Sequence, residues 1–166
     1  MKIHSFENYA FVGLGSNLGS TAAYPKDNVL QAIEKLKALS DEPLLISSLL
    51  ESKPLDCPPG SPDFVNAVVA VNPEQNETAL SFLHALQQIE NSMGRKRSGL
   101  KNEARIIDLD LLVFKRVEIS TNELILPHPE IVNRDFVTEP LQELLTESEF
   151  KKLIGFIKKT PPSRRS

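Results

Sequence analysis

Two aspartates two residues apart, Asp108 and Asp110, stand inside the apolar stretch Arg105-Ile106-Ile107-Asp108-Leu109-Asp110-Leu111-Leu112-Val113-Phe114. The stretch reads as a buried β-strand, along which side chains alternate between faces. Ile107, Leu109, Leu111 and Val113 then share an apolar face, and the two aspartates share the other, roughly 6–7 Å apart along the chain. Like charges that close repel, and burying them without a counter-ion is costly. The pair is therefore either a solvated part of an open sheet face or a platform for a cation.

Just ahead of it lie five cations in eleven residues: Arg95, Lys96, Arg97, Lys101 and Arg105. Such a run is by itself a solvated face. Before a candidate Mg2+ pair it suggests phosphoryl transfer, because Mg2+ takes carboxylate and phosphate oxygens while arginines grip the remaining phosphate charge. That chemistry rests on positioning and charge stabilisation and needs no protein nucleophile. No Ser-His-Asp ordering or Cys-His pairing competes. His128, between Pro127 and Pro129, could contact a phosphate or a base or be a plain loop residue; His4 and His84 carry no signal. Gln87 and Glu90 share a helix face, where Glu90 either accepts from a ribose hydroxyl or an amine or is solvated. Asn66 heads an apolar strand, and its amide can donate to and accept from a planar heterocycle, with Phe64 and Phe136 as stacking candidates. Gly13, Gly15 and Gly19 around Ser16-Asn17 read as a turn or as a backbone-lined substrate wall. Leu18 stands where a dinucleotide fingerprint would need its third glycine, and no Gly-Lys-Ser/Thr follows.

The elements that must position these groups follow from periodicity. Strands are expected over residues 9–14 (YAFVGL), 44–51 (LLISSLLE) and 64–71 (FVNAVVAV) besides the aspartate strand. Pro25 opens a helix whose Val29, Ile33 and Leu36 recur at helical spacing, and a second runs over 78–93 to Gly94. Its stripe is Ala79, Phe82, Leu83, Leu86, Ile89 and Met93. Residues 52–63 hold Pro54, Pro58, Pro59, Gly60 and Pro62, too much proline for a helix or a ladder strand. Lys115-Arg116 reads as a hairpin turn into 117–120, a helical region over 133–147 is broken at Pro140, and a short helix spans 148–159. The order β-α-β-β-α-β predicts an α+β, ferredoxin-like split βαβ sandwich with an extra hairpin strand and C-terminal helices. Residues 1–159 are expected to form one domain and 160–166 a disordered tail.

With 166 residues, 40% hydrophobic and 25% charged, the composition is that of an ordinary soluble protein able to bury a core unaided. A net charge of -3 argues against a nucleic-acid binder. Cys57 is the only cysteine, which excludes an internal disulfide and a cysteine-based zinc cluster, and it reads as incidental. With no secretory-type segment and no apolar run near the ~20 residues of a membrane span, a cytoplasmic location and no membrane partner are expected.

Taken in order, several motifs resemble those of the 6-hydroxymethyl-7,8-dihydropterin pyrophosphokinases of the folate pathway, over residues 9–145. They are Gly-Ser-Asn at 15–17, Ser-Lys-Pro at 52–54, Pro-Asp-Phe-Val-Asn at 62–66, Gln87-x-x-Glu90 and Gly94-Arg95-x-Arg97. Arg105-x-x-Asp108-x-Asp110, Leu-Pro-His at 126–128 and Asn-Arg-x-Phe at 133–136 complete the series. The resemblance implies pyrophosphoryl transfer from ATP to the pterin hydroxymethyl oxygen, giving the pterin diphosphate and AMP. It implies two Mg2+ ions on Asp108 and Asp110, and Arg95 and Arg105 stabilising the transferring group. Gln87, Glu90, Arg97, Leu111, Ile125, His128 and Arg134 would lie along ATP. Ser52, Lys53, Pro54, Leu55, Phe64, Asn66, Asn102 and Phe136 would hold the pterin. Mobile loops closing over both substrates, and a monomer, are also expected. The chain departs from many members of this family in having Asn102-Glu103-Ala104 instead of an aromatic-Gly-Pro, and Glu123 where some have an arginine near ATP. The rivals are a ligand-binding regulatory module and a catalytically idle relative, and the retained aspartates and arginines speak against both.

Overall fold

The structure is a computed structural model that describes residues 2–17, 24–52, 64–94 and 106–159. The runs of β-branched and large apolar residues form β1 (Ala10–Ser16), β2 (Leu45–Ile46), β3 (Leu50–Ser52), β4 (Phe64–Val71) and β5 (Asp108–Phe114). They make one antiparallel sheet in the order β2-β4-β1-β5, with β3 also pairing with β4. On one face pack α1 (Pro25–Leu36) and α2 (Ala79–Ser92), whose Val29, Ile33, Leu36, Phe82 and Leu86 meet Val12, Leu14, Val69, Leu109 and Leu111. On the other pack α3 (Asp135–Leu144) and α4 (Glu147–Lys159), whose Val137, Leu141, Leu153 and Phe156 meet Phe11, Val68, Ala70 and Leu112. Each such large side chain, fully buried, contributes about 1.5–3 kcal/mol. The expected α+β arrangement with its C-terminal helices is the one observed. No helix among the described residues is long and apolar enough to cross a membrane.

Several local readings need correction. Gly15 is not a turn residue; with Gly13, which falls inside the expected strand, it lies within β1. The strand expected over 44–51 is split at Ser47, Ser48 and Leu49. There the Ser47 N–H donates to the Val68 carbonyl at 3.0 Å, while its hydroxyl oxygen accepts from the Val68 N–H at 2.9 Å. A side chain thus replaces one backbone acceptor of the ladder. The segment after Lys115 does not pair with β5. Lys115, at φ 53, and a bond from the Val117 N–H to the Phe114 carbonyl turn the chain away from the sheet. Residues 119–120 (β6, Ile119–Ser120) pair instead with β7 (Ile125–Leu126). α3 runs through Pro140 without a break. Proline removes one helical hydrogen bond, and packing by the neighbouring Val137, Leu141 and Leu144 holds the helix.

One correction bears on the site. The β1–β5 register shifts between Phe11 and Val12, so Phe11 pairs with Val113 while Val12 pairs with Leu111. This bulge leaves Leu112 as the extra residue and ends the alternation. Leu112 and Val113 both join the α3–α4 core, and Phe114 returns to the α1–α2 core, so Val113 does not share the face of Leu109 and Leu111.

Candidate active site

Residues paired across antiparallel strands carry their side chains on the same face. Asn66 pairs with Gly15 and Gly15 with Asp108; in the next row of that face Val68 pairs with Gly13 and Gly13 with Asp110. Both aspartates are thus confirmed on one face, half-buried, each beside a glycine on the neighbouring strand. The glycines contribute no side chain, and neighbouring side chains lie over them instead: Leu112 comes to 3.4 Å from where a Gly13 Cβ would stand. A Cβ on Gly15 would stand 2.9 Å from Asn66 Oδ1, so the Asn66 amide already leans across that glycine. Phe64, two residues before Asn66, lies on the same face and pairs with Ser52 of β3. This face also carries the α3–α4 core, through Phe11, Val68, Ala70 and Leu112. It is therefore apolar at one end and polar at the other.

Glu90 is not solvated. It is 3% exposed, and its Oε2 accepts the Leu109 N–H at 2.7 Å, at the residue between the two aspartates. On the same outer strand the Leu112 carbonyl accepts the His128 N–H at 2.8 Å. His128 Nδ1 accepts from the Glu130 N–H at 3.1 Å, which leaves the proton of a neutral ring on Nε2. Its pKa is held below the ordinary imidazole value, first by burial and then by the Arg134 guanidinium, with Glu130 and Asp108 acting the other way. Arg134 and Asp108 thus both act on the charge of the His128 ring. Arg134 precedes α3 with its guanidinium over the Phe136 ring at 5.7 Å, and Phe136 is exposed.

The remaining expected contacts fall in two groups. Gln87 is half-buried on α2, one turn before Glu90, and Ile125 is half-buried in β7. The Leu111 side chain is buried in the α1–α2 core, on the face opposite the aspartates. Ser52 is exposed at the end of β3. Lys53, Pro54, Leu55, Arg95, Arg97, Asn102 and Arg105 lie outside the described residues, as do Gly19, Cys57, Lys96, Lys101, Glu103, Ala104 and the tail over 160–166. Glu123, the departure near the expected nucleotide, is engaged by His84 Nε2 at 2.7 Å. Reading from sequence passed over this pair, which joins α2 to the segment before β7.

Among the described residues no three His, Cys, Asp or Glu side chains gather as a metal cluster. A pair of aspartates suits Mg2+ nonetheless, because that ion commonly takes one or two carboxylates and completes its shell with water and substrate phosphate. Residues 11–146 match the family model described as 7,8-dihydro-6-hydroxymethylpterin-pyrophosphokinase. The chain is 37% identical over 139 residues to a 2-amino-4-hydroxy-6-hydroxymethyldihydropteridine pyrophosphokinase of Haemophilus influenzae, covering 83% of this chain and 82% of that one. It is 34% identical over 142 residues to the protein of the same name from Bacillus subtilis, covering 86% and 81%. It is also 37% identical over 142 residues to the folic acid synthesis protein fol1 of Pneumocystis carinii, covering 85% of this chain and 18% of that longer one.

Proposed function

The chain belongs to the 7,8-dihydro-6-hydroxymethylpterin-pyrophosphokinase family, and on that premise we propose that it makes the pterin diphosphate for folate biosynthesis. The pterin's hydroxymethyl oxygen attacks the β-phosphorus of ATP and loses its proton. The bond from that phosphorus to the oxygen retained by AMP breaks, and AMP leaves. The observation that carries this reading is the shared face on which Asp108 and Asp110 stand beside Gly15 and Gly13, with Asn66 across Gly15.

Asp108 and Asp110 would hold two Mg2+ ions, which when bound supply positive charge to the triphosphate and to the attacking oxygen. Arg95 and Arg105 would add charge-assisted hydrogen bonds to the transferring group. His128, neutral with its proton on Nε2, offers a donor to a phosphate oxygen. Arg134 offers a cation whose charge acts on the same ring. Asn66 matches the mixed donor and acceptor edge of a pterin, with Phe64 and Phe136 as apolar walls. All these residues come from one chain, so a monomeric domain over 1–159 suffices, without nucleic acid or membrane. A cytoplasmic location suits an ATP-consuming enzyme.

The test is AMP formation from ATP and Mg2+ with and without 6-hydroxymethyl-7,8-dihydropterin. AMP that appears only with the pterin is expected. Folded protein that forms none contradicts the proposal.

A further inference from the structure

We propose that Glu90 is a positioning residue for the aspartate pair, acting through the backbone of Leu109, an inference that rests on the pyrophosphokinase reading above. Its side chain leaves α2 near that helix's C-terminal end and is almost wholly buried. Oε2 reaches the Leu109 N–H at 2.7 Å, a short charge-assisted bond. Leu109 is the residue between Asp108 and Asp110, and among the described residues β5 is the outermost strand on its side of the sheet. An outer strand has no neighbour to accept from half of its N–H groups, and here a glutamate from a helix serves as that neighbour. The Leu109 side chain is buried against the α1–α2 core, so this peptide is held from its edge and from one face. Fixing it fixes the direction of both flanking carboxylates, which no bond to either aspartate alone would do.

The resemblance alone would make Glu90 a nucleotide contact. The geometry instead directs one of its oxygens inward to the strand. The two roles differ in what they require of the side chain. A positioning role needs an acceptor, which glutamine supplies through its amide oxygen. A role resting on charge needs the carboxylate itself. Groups that orient metal ligands typically change metal affinity or activity by about 10–100-fold when removed.

The experiment compares wild type, Glu90→Gln and Glu90→Ala by calorimetric titration of Mg2+ with α,β-methylene ATP, and by hydrogen exchange of the Leu109 amide. Glu149→Ala, which removes an equally buried acceptor that bonds the Phe6 N–H, serves as control. Glu90→Gln is expected to stay within about threefold of wild type in Mg2+ requirement and to keep the Leu109 amide protected. Glu90→Ala should raise that requirement roughly tenfold or more and expose the Leu109 amide selectively, with the Val12 amide still protected. Glu149→Ala should leave the Mg2+ requirement unchanged. The inference is overturned if Glu90→Gln loses as much as Glu90→Ala, or if Glu90→Ala keeps the wild-type Mg2+ requirement. If Glu90→Ala does not fold, Glu90→Gln against wild type decides: a large loss overturns the inference and retention supports it. Wild type that binds no Mg2+-nucleotide would sink the pyrophosphokinase reading instead, while the Leu109 exchange data still report on the contact.

Discussion

Glu90 and Glu149 use one device at two places in the molecule. Each is a buried glutamate near a helix end, and each accepts a backbone N–H at 2.7 Å: Glu90 from Leu109, Glu149 from Phe6. Burying a carboxylate is costly unless such charge-assisted bonds compensate it. What differs is the company. Leu109 has an aspartate on either side. Phe6 packs against Phe156, and the Arg116 guanidinium lies over both rings at 5.5 and 5.1 Å while pairing with Glu7. Glu149 therefore ties the N-terminal segment to α4, close to where the Ile3 N–H donates to the Leu144 carbonyl at 2.8 Å. The same bond stabilises the fold at one place and orients a candidate metal site at the other, and its neighbours decide which.

That contrast can be broken or sharpened by substitution. The largest effect is expected at the aspartates. Asp110→Asn should cut turnover roughly a hundredfold to ten-thousandfold, the several kcal/mol that metal-assisted charge stabilisation supplies. Its melting temperature should stay near wild type; near-normal turnover would put the metal elsewhere. Next comes Glu149→Ala, which leaves the buried Phe6 N–H without its acceptor and should cost about 1–3 kcal/mol of stability. Chemical denaturation would measure this, and activity per folded molecule should not change. A loss of activity in that variant would erase the distinction between the two glutamates.

A smaller effect is expected at Gly15→Ala, where the new Cβ would stand 2.9 Å from Asn66 Oδ1 and push the amide aside. Losing one hydrogen bond of typical strength should raise the pterin KM roughly twofold to tenfold while the ATP KM holds. An equal rise in both would mean that Asn66 does not distinguish the substrates. The smallest effect concerns His128. Its pKa is lowered in the folded chain, mainly by burial, so below about pH 6.5 the unfolded chain binds a proton that the folded chain resists. Stability should therefore decline as pH falls from neutrality through that value, and levels off below the depressed folded pKa. His128→Gln should flatten that part of the profile in pH-dependent denaturation.

Most of this architecture was legible in the chain. Strand and helix periodicities set the α+β order, and the apolar face opposite Asp108 and Asp110 fixed their common direction. The bulge was not legible, because Leu112, Val113 and Phe114 are all apolar and carry no alternation to read. The burial of Glu90 was not legible for a different reason. It continues the buried line Phe82–Leu86–Glu90 at four-residue steps, but a charge on that line looks like the edge of the stripe. Glu149, Leu153 and Ile157 repeat the pattern on α4. A glutamate in phase with a buried stripe is thus a signal worth reading as an acceptor for a distant backbone N–H. Gly15 reads as a turn residue because glycine is common there, although Gly13 falls inside the expected strand. Only strand pairing shows that they face the aspartates.

The most direct test of the central claim is to follow ATP, Mg2+ and 6-hydroxymethyl-7,8-dihydropterin with this protein by phosphorus NMR. The account predicts AMP and pterin diphosphate in equal amounts, with no product when the pterin is omitted. Formation of ADP and a pterin monophosphate, or of no pterin-dependent product by folded protein, would contradict it.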